Sequence, residues 1–217
     1  MMDHLEIPYP NHFPEQGKGG GPVTMVDTEF IERIDFYAGA FPSRYGEKLS
    51  SVMDVTLRSG ARDKHLGEVT MNMAGFGANM EGPFGEKGSY LFSLKRSFLD
   101  FVMVSTGLQA VPQYWSSQGK VTADISPTKK LMINFLGGID AIHIRGESNP
   151  SLRGAENVEF DSQQATIGIT YKNLFSKNGY SILSLSQSLV QLNADVYELV
   201  EEQKRNIFYL QNDLENE

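Results

Sequence analysis

The chain has 217 residues, enough for one large or two small domains. Its net charge of −8 disfavours a nucleic-acid partner, because phosphate binding needs a basic face. The absence of cysteine rules out a disulfide scaffold and a thiolate metal site, and 40% apolar residues beside 21 glycines suit an antiparallel β protein rich in turns.

Residues 1–29 read as loop, since Pro8, Pro10, Pro14 and Pro22 with Gly17, Gly19, Gly20 and Gly21 interrupt regular structure. Asp27-Thr28-Glu29 is placed to cap a short helical turn near Phe30. Two strand-like runs follow, Ile31–Tyr37 and Ser51–Arg58, joined by an irregular crossing that contains Gly39, Pro42 and Gly46. Ala61-Arg62-Asp63-Lys64 is a charged linker.

Beyond the linker the pattern becomes a series of hairpins. Leu66–Ala74 alternates Val69, Met71 and Met73 with Glu68, Thr70 and Asn72; Gly75-Phe76-Gly77 reads as a tight reversal before Ala78–Gly82. Gly85–Gly88 is a turn, and Ser89–Ser97 sets Tyr90, Phe92 and Leu94 against Ser93, Lys95 and Ser97. After an irregular Phe98–Trp115, Lys120–Ile125 opposes Val121, Ala123 and Ile125 to Lys120, Thr122 and Asp124. A turn at Ser126–Lys130 leads to Leu131–Ile142, then a polar loop at Arg145–Asn157. Gln164–Lys172 alternates Ala165, Ile167, Ile169 and Tyr171 with polar residues, and Asn178-Gly179 is a strong hairpin signal. Tyr180–Leu192 resumes the pattern with a phase slip near Ser184 that suggests a bulge. Ile207–Leu210 begins one more strand.

The connections alternate between short (Gly85–Gly88, Ser126–Lys130, Ser176–Gly179) and long (Phe98–Trp115, Arg145–Asn157). Outer-membrane barrels show that asymmetry, whereas a soluble sandwich has no reason for it. No run approaches the roughly 18 apolar residues of a membrane-crossing helix, but a spanning strand needs only about 9–11 alternating residues. Tyr90, Tyr171 and Tyr180 fall near the short turns, where an interfacial aromatic belt is expected.

Motifs for catalysis are weak. Gly17-Lys18-Gly19 lacks the Gly-Lys-Ser/Thr ending of a phosphate loop, and Gly75-x-Gly77 has no βαβ unit around it. His4, His12, His65 and His143 form no HxxxH or HExxH pair. The sequence therefore predicts a non-enzyme, with no catalytic residue, metal or cofactor.

Ile31-Glu32-Arg33-Ile34-Asp35 with Gly39, then Arg44-Tyr45-Gly46, then Val52-Met53-Asp54-Val55 and Arg58-Ser59-Gly60, resemble the end of the plug domain of TonB-dependent outer-membrane transporters. The resemblance extends from about Ile7 to about Phe175. It implies a mainly β fold: residues 1–63 as the C-terminal half of a plug, and residues 64–217 as about seven antiparallel strands of a transmembrane barrel of about 22 strands when complete. The chain would then be an internal fragment, without a signal peptide or the box that TonB pulls. The implied function is a receptor in the outer membrane of a Gram-negative bacterium. It would take up a large or scarce nutrient, such as a siderophore or oligosaccharide, by energy-coupled plug displacement, with TonB, outer-membrane lipid and an unidentified nutrient as partners.

Plug arginines of that family pair with wall carboxylates, which singles out Arg44, Tyr45, Gly46 and Arg58 as plug–barrel contacts. Glu68, Glu81 and Asp140 fall on the polar side of their strands, and Glu68 and Asp140 are the candidate partners, since an enclosed charge needs one. Tyr114 and Trp115 are candidates to stack on a ligand; the interfacial belt is the preferred reading of the two. The chief alternative is a secreted soluble β-domain, an adhesin or carbohydrate-binding module, with its apolar stripes turned inward. An outer-membrane enzyme is the third reading, without a nucleophile–base pair to support it.

Overall fold

Period-two alternation requires a partner for each strand's backbone, and consecutive runs joined by short turns find it in each other. The computed structural model describes residues 1–14, 21, 23–39, 42, 45–46, 50–72, 75–98, 110–144, 157–176, 179–197 and 202–216. The fold is mainly β. A leading segment carries two two-stranded pairs: β1 (Asn11–His12) with β2 (Val23–Thr24), and β3 (Ile31–Tyr37) with β4 (Val52–Leu57). Between the pairs, Asp27 caps a single 3-10 turn at Thr28–Phe30, as its position predicts, accepting the Glu29 N–H at 3.1 Å.

The remainder is one antiparallel sheet in which neighbours in sequence are neighbours in space. Its strands are β5 (Leu66–Asn72), β6 (Gly75–Phe84), β7 (Gly88–Arg96), β8 (Ala110–Ser126), β9 (Lys129–Ile144), β10 (Asn157–Ser176), β11 (Gly179–Tyr197) and β12 (Glu202–Asn216). Among the described residues these eight strands correspond to the eight runs named from the sequence, where about seven were expected in total. One end of the sheet carries the short turns: Gly85, at φ +64°, opens the β6–β7 turn, and Pro127-Thr128 joins β8 to β9. The long connections expected at Phe98–Trp115 and Arg145–Asn157 fall largely on residues 99–109 and 145–156, which, with residues 177–178 of the expected Asn-Gly turn, lie outside the described residues.

Three expectations change. Gly75-Phe76-Gly77 is not a reversal but the start of β6, paired with Asn72, Met71 and Thr70. Residues 110–115 are strand rather than irregular, because Ala110–Trp115 find partners along Ile144–Ile139 of β9. No bulge occurs at Ser184: pairing of β10 with β11 runs unbroken from Asn157↔Tyr197 to Leu174↔Tyr180. The apparent slip arises because the row Ser184, Ser186 and Ser188 turns apolar at both ends, at Ile182 and at Val190 and Leu192. The same phase puts Tyr180 in line with Ile182, where the Lys172 ammonium lies 5.8 Å from its ring, so Tyr180 is not on the face of Tyr90 and Tyr171.

The two faces of the sheet have opposite chemistry. The covered face is polar: Ser93, Gln118, Asn134, Ser162, Thr166 and Thr170 are buried there. The bare face is apolar. Within β10, Thr166 is 6% exposed while the next residue, Ile167, is 52% exposed. In register, the bare face stacks five rows: Phe84–Gly88–Ala123–Leu131–Tyr171–Leu183, Gly82–Tyr90–Val121–Ile133–Ile169–Leu185, Met80–Phe92–Gly119–Phe135–Ile167–Gln187, Ala78–Leu94–Ser117–Gly137–Ala165–Leu189 and Phe76–Arg96–Trp115–Ile139–Gln163–Gln191. Four are mainly apolar, and the fifth mixes Phe76, Trp115 and Ile139 with Arg96, Gln163 and Gln191. The next row, Gln113, Asp161 and Asn193, is polar apart from Ala141. At roughly 3.3 Å per residue the five rows span about 26 Å along the strands.

What covers the polar face is the leading segment. Met2, Met25, Phe30, Val55 and Leu57 form a small core that closes on Leu91 and Leu136 of the sheet. Two glycines admit it. A Cβ at Gly168 would lie 2.5 Å from Leu5 Cδ1, and one at Gly138 would lie 2.5 Å from Met25 Sδ. A Cβ at either position would force the Leu5 or Met25 side chain out of its present place.

Candidate functional site

Among the described residues, the buried charges lie at the interface between the leading segment and the polar face. Burying a charge is costly unless it is paired and hydrogen-bonded, and each is held in that way. At the N-terminal turn Met2–Leu5, Asp3 and His4 both adopt positive φ, +48° and +68°, closing a tight turn whose ends exchange backbone hydrogen bonds. That turn aims Asp3 inward. Its Oδ1 accepts the Leu57 N–H at 3.1 Å, and its Oδ2 pairs with Lys120 Nζ at 2.8 Å. Lys120, 4% exposed on β8, also donates to the Leu57 carbonyl at 2.6 Å.

Asp27 is the second anchor. Its N–H donates to Gln118 Oε1 at 2.7 Å, and its Oδ2 accepts Ser93 Oγ at 2.7 Å and Lys95 Nζ at 3.1 Å. Burial pushes its pKa up, but the Ser93 hydroxyl, the Glu29 N–H and Lys95 outweigh that and hold the carboxyl below the ordinary aspartate value. A depressed folded-state pKa contributes stability that is present above the unfolded value and lost as pH falls through the folded one. The attachment of residues 25–30 is therefore expected to hold at neutral pH and to loosen below about pH 4. Asp27→Asn should flatten that part of the acid limb of a denaturant-midpoint profile; an unchanged profile would remove Asp27 from the interface's pH dependence.

The third anchor joins β1 to β9 and β10. His12 and Asp140 are both fully enclosed, and the His12 Nδ1–H donates to Asp140 Oδ1. Phe13, at φ +55°, turns its N–H onto Asp140 Oδ2 at 2.9 Å, and Ser162 Oγ donates to the same oxygen at 2.6 Å. The His12 ring stacks on Tyr114 at 4.2 Å, and Phe13 meets Tyr114 edge-on at 6.2 Å. Ser, His and Asp thus coincide, but the serine donates to the carboxylate instead of to the imidazole. The geometry suits holding, not proton transfer from a nucleophile.

The fourth anchor corrects an expectation. Arg58 pairs with neither Glu68 nor Asp140. Its guanidinium meets Glu81 through Nη1 at 2.5 Å and Nη2 at 3.2 Å, and the Ala61 N–H adds a third bond to Glu81 at 3.0 Å. Register decides this: Glu81 ends the covered row of β6 beside residues 58–61, Glu68 is exposed on the edge strand next to Asn79, and Asp140 is taken by His12. Asn79 in turn donates to Glu29 at 2.7 Å.

Arg44 lies outside the described residues. Tyr45 is buried, but against its own segment: its hydroxyl donates to Asp54 at 2.7 Å and its ring lies 5.3 Å from Tyr37. Gly46 stands in open space. Tyr114 and Trp115 are adjacent in β8 and so point to opposite faces. Tyr114 is committed to His12 and Phe13. Trp115 sits on the bare face with the Arg96 guanidinium 5.3 Å from its ring centroid. They do not make a joint stacking platform. Asp3, His12, Gln118 and Lys120 were not expected as contacts between the leading segment and the sheet, and Asp27 was read from the sequence only as a helix cap. The available signal was that Lys120 interrupts an apolar strand on its polar side.

Among the described residues no group of three or more His, Cys, Asp or Glu side chains is arranged to hold a metal, and no helix is long and apolar enough to cross a membrane. Comparison with protein-family models, curated proteins and solved structures finds no match to the chain.

Proposed function

We propose that the chain is part of a TonB-dependent outer-membrane receptor, the leading segment acting as plug and the eight strands as the first part of the barrel wall. The observation that carries this reading is that the sheet is inside out for a water-soluble protein. Its apolar face is bare, and its polar face is the one that is covered. In water that arrangement exposes Val69, Met71, Ile139, Ile167 and Leu185 for no return. In lipid it is the required one, with an apolar band about 25 Å tall facing the hydrocarbon. Five rows on strands tilted by about 40° give a band of about 20 Å. Phe84, Tyr90 and Tyr171 at one margin and Trp115 at the other are disposed as interfacial girdles. The secreted soluble module, with its stripes turned inward, has no such support.

In this reading the four anchors are what energy coupling must break. A pull through TonB would separate Asp3 from Lys120, Asp27 from Ser93, His12 from Asp140 and Arg58 from Glu81, opening a path for a large nutrient along a polar wall. Trp115 is the sole tryptophan, so one fluorophore tests the assignment. Reconstituted in vesicles, its emission is expected to be quenched more by lipids brominated near the headgroup than by those brominated at the chain end. Emission indifferent to brominated lipid, from a protein that stays in solution without detergent, would end this reading.

A further inference from the structure

A cavity of about 660 Å³ opens at the short-turn end, between the leading segment and the sheet. Its lining gathers six cations, Arg62, Lys87, Lys120, Lys129, Lys130 and Lys172. Four carboxylates face them: Asp3, Glu32, Glu86 and Asp124. The balance is +2, in a chain whose overall charge is −8. Two of the cations are spoken for. Arg62 pairs with Asp124 at 2.6 Å and Lys120 with Asp3 at 2.8 Å, while Lys130 reaches Asp124 only at 3.8 Å. Lys87 and Lys129, which flank the two turns, and Lys172 from β10 supply the remaining positive charge. Ser59, Ser126 and Thr128 add hydroxyl donors.

We propose that this cavity binds a phosphate group, carried by a small phosphomonoester or by a phospholipid headgroup, and that the bound group ties the leading segment to the turns. Lysine ammoniums are point charges suited to phosphate oxygens. Like charges gathered in a concave, low-dielectric wall raise the local concentration of an anion. The volume is within the roughly 300–1,000 Å³ of small-ligand sites. Arg62 belongs to the leading segment while Lys129 and Lys172 belong to the sheet, so one anion would bridge both. The cavity does not depend on the membrane assignment, and its failure to bind phosphate would leave that assignment standing.

The test is calorimetric titration of the 217-residue chain in detergent with glycerol 3-phosphate and with inorganic phosphate. A parallel arm uses nanodiscs in which phosphatidylglycerol replaces uncharged diacylglycerol, reading the protection of residues 58–62 from trypsin. Lys129→Gln with Lys172→Gln should weaken binding or protection about tenfold, the loss of two charge-assisted contacts. Lys64→Gln, exposed and outside the cavity, should leave both unchanged. Heat with the soluble phosphates identifies a free ligand, and protection only with phosphatidylglycerol identifies a headgroup; either supports the site if the double variant loses it. No response in both arms, or equal response from the double variant with its β circular dichroism intact, overturns it.

Discussion

Asp140→Ala is expected to release residues 11–14 from the sheet and to cost about 3–5 kcal/mol, because it leaves several buried donors without their acceptor. Three donors converge on this carboxylate: His12 Nδ1, the Phe13 N–H and Ser162 Oγ. Alanine would strand all three in an enclosed site, and each buried donor left unpaired costs about 1–3 kcal/mol. The sheet itself should survive, because the β9 ladder does not use the side chain. Limited proteolysis should therefore show early cleavage around residues 11–14 while the strands from β6 onward persist. Asp161, one residue beyond β9's partner row on the bare side of β10, supplies the comparison: Asp161→Ala should stay within about 0.5 kcal/mol of the parent. Identical digestion of the two variants would mean that Asp140 does not hold the segment.

Ile167→Arg separates the membrane reading from its soluble alternative by sign as well as size. Ile167 lies in the middle of the five rows, between Phe135 on β9 and Gln187 on β11. Facing lipid at that depth, arginine is expected to cost about 2–4 kcal/mol, measured as the shift in unfolding free energy from vesicles. The same substitution on an exposed strand in water should change stability by about 0.5 kcal/mol or less and improve solubility. Asp161→Arg, on the same face of β10 in the polar row past the apolar ones, should cost about 1 kcal/mol or less in either solvent. A folding yield for Ile167→Arg equal to that of Asp161→Arg would place this face in water.

The sheet also has two open sides. Among the described residues β5 pairs only with β6, and β12 only with β11. An unpaired strand edge offers N–H and C=O groups to any passing strand and cannot stand in hydrocarbon. Further strands, or another chain, are needed to cover them under the proposed reading.

Much of the strand layout was legible residue by residue. The alternation of Tyr90, Phe92 and Leu94, of Val121, Ala123 and Ile125, and of Ile167, Ile169 and Tyr171 marked one face of three strands, and the structure keeps each set together. The turns at Gly85–Gly88 and Ser126–Lys130 and the cap at Asp27 were equally readable. These are local properties, decided by a few neighbouring side chains and the period of an extended backbone. Which face would be covered was not local, since a two-faced strand serves a dry core or a wet lumen equally well. Only the tertiary structure laid the leading segment on the polar side. Only it brought His12 to Asp140 across 128 positions and gave Arg58 to Glu81. The reason is that a charge's partner depends on the register of distant strands and on the glycines, such as Gly138 and Gly168, that let a second layer approach, and neither is written in the residues on either side of the charge.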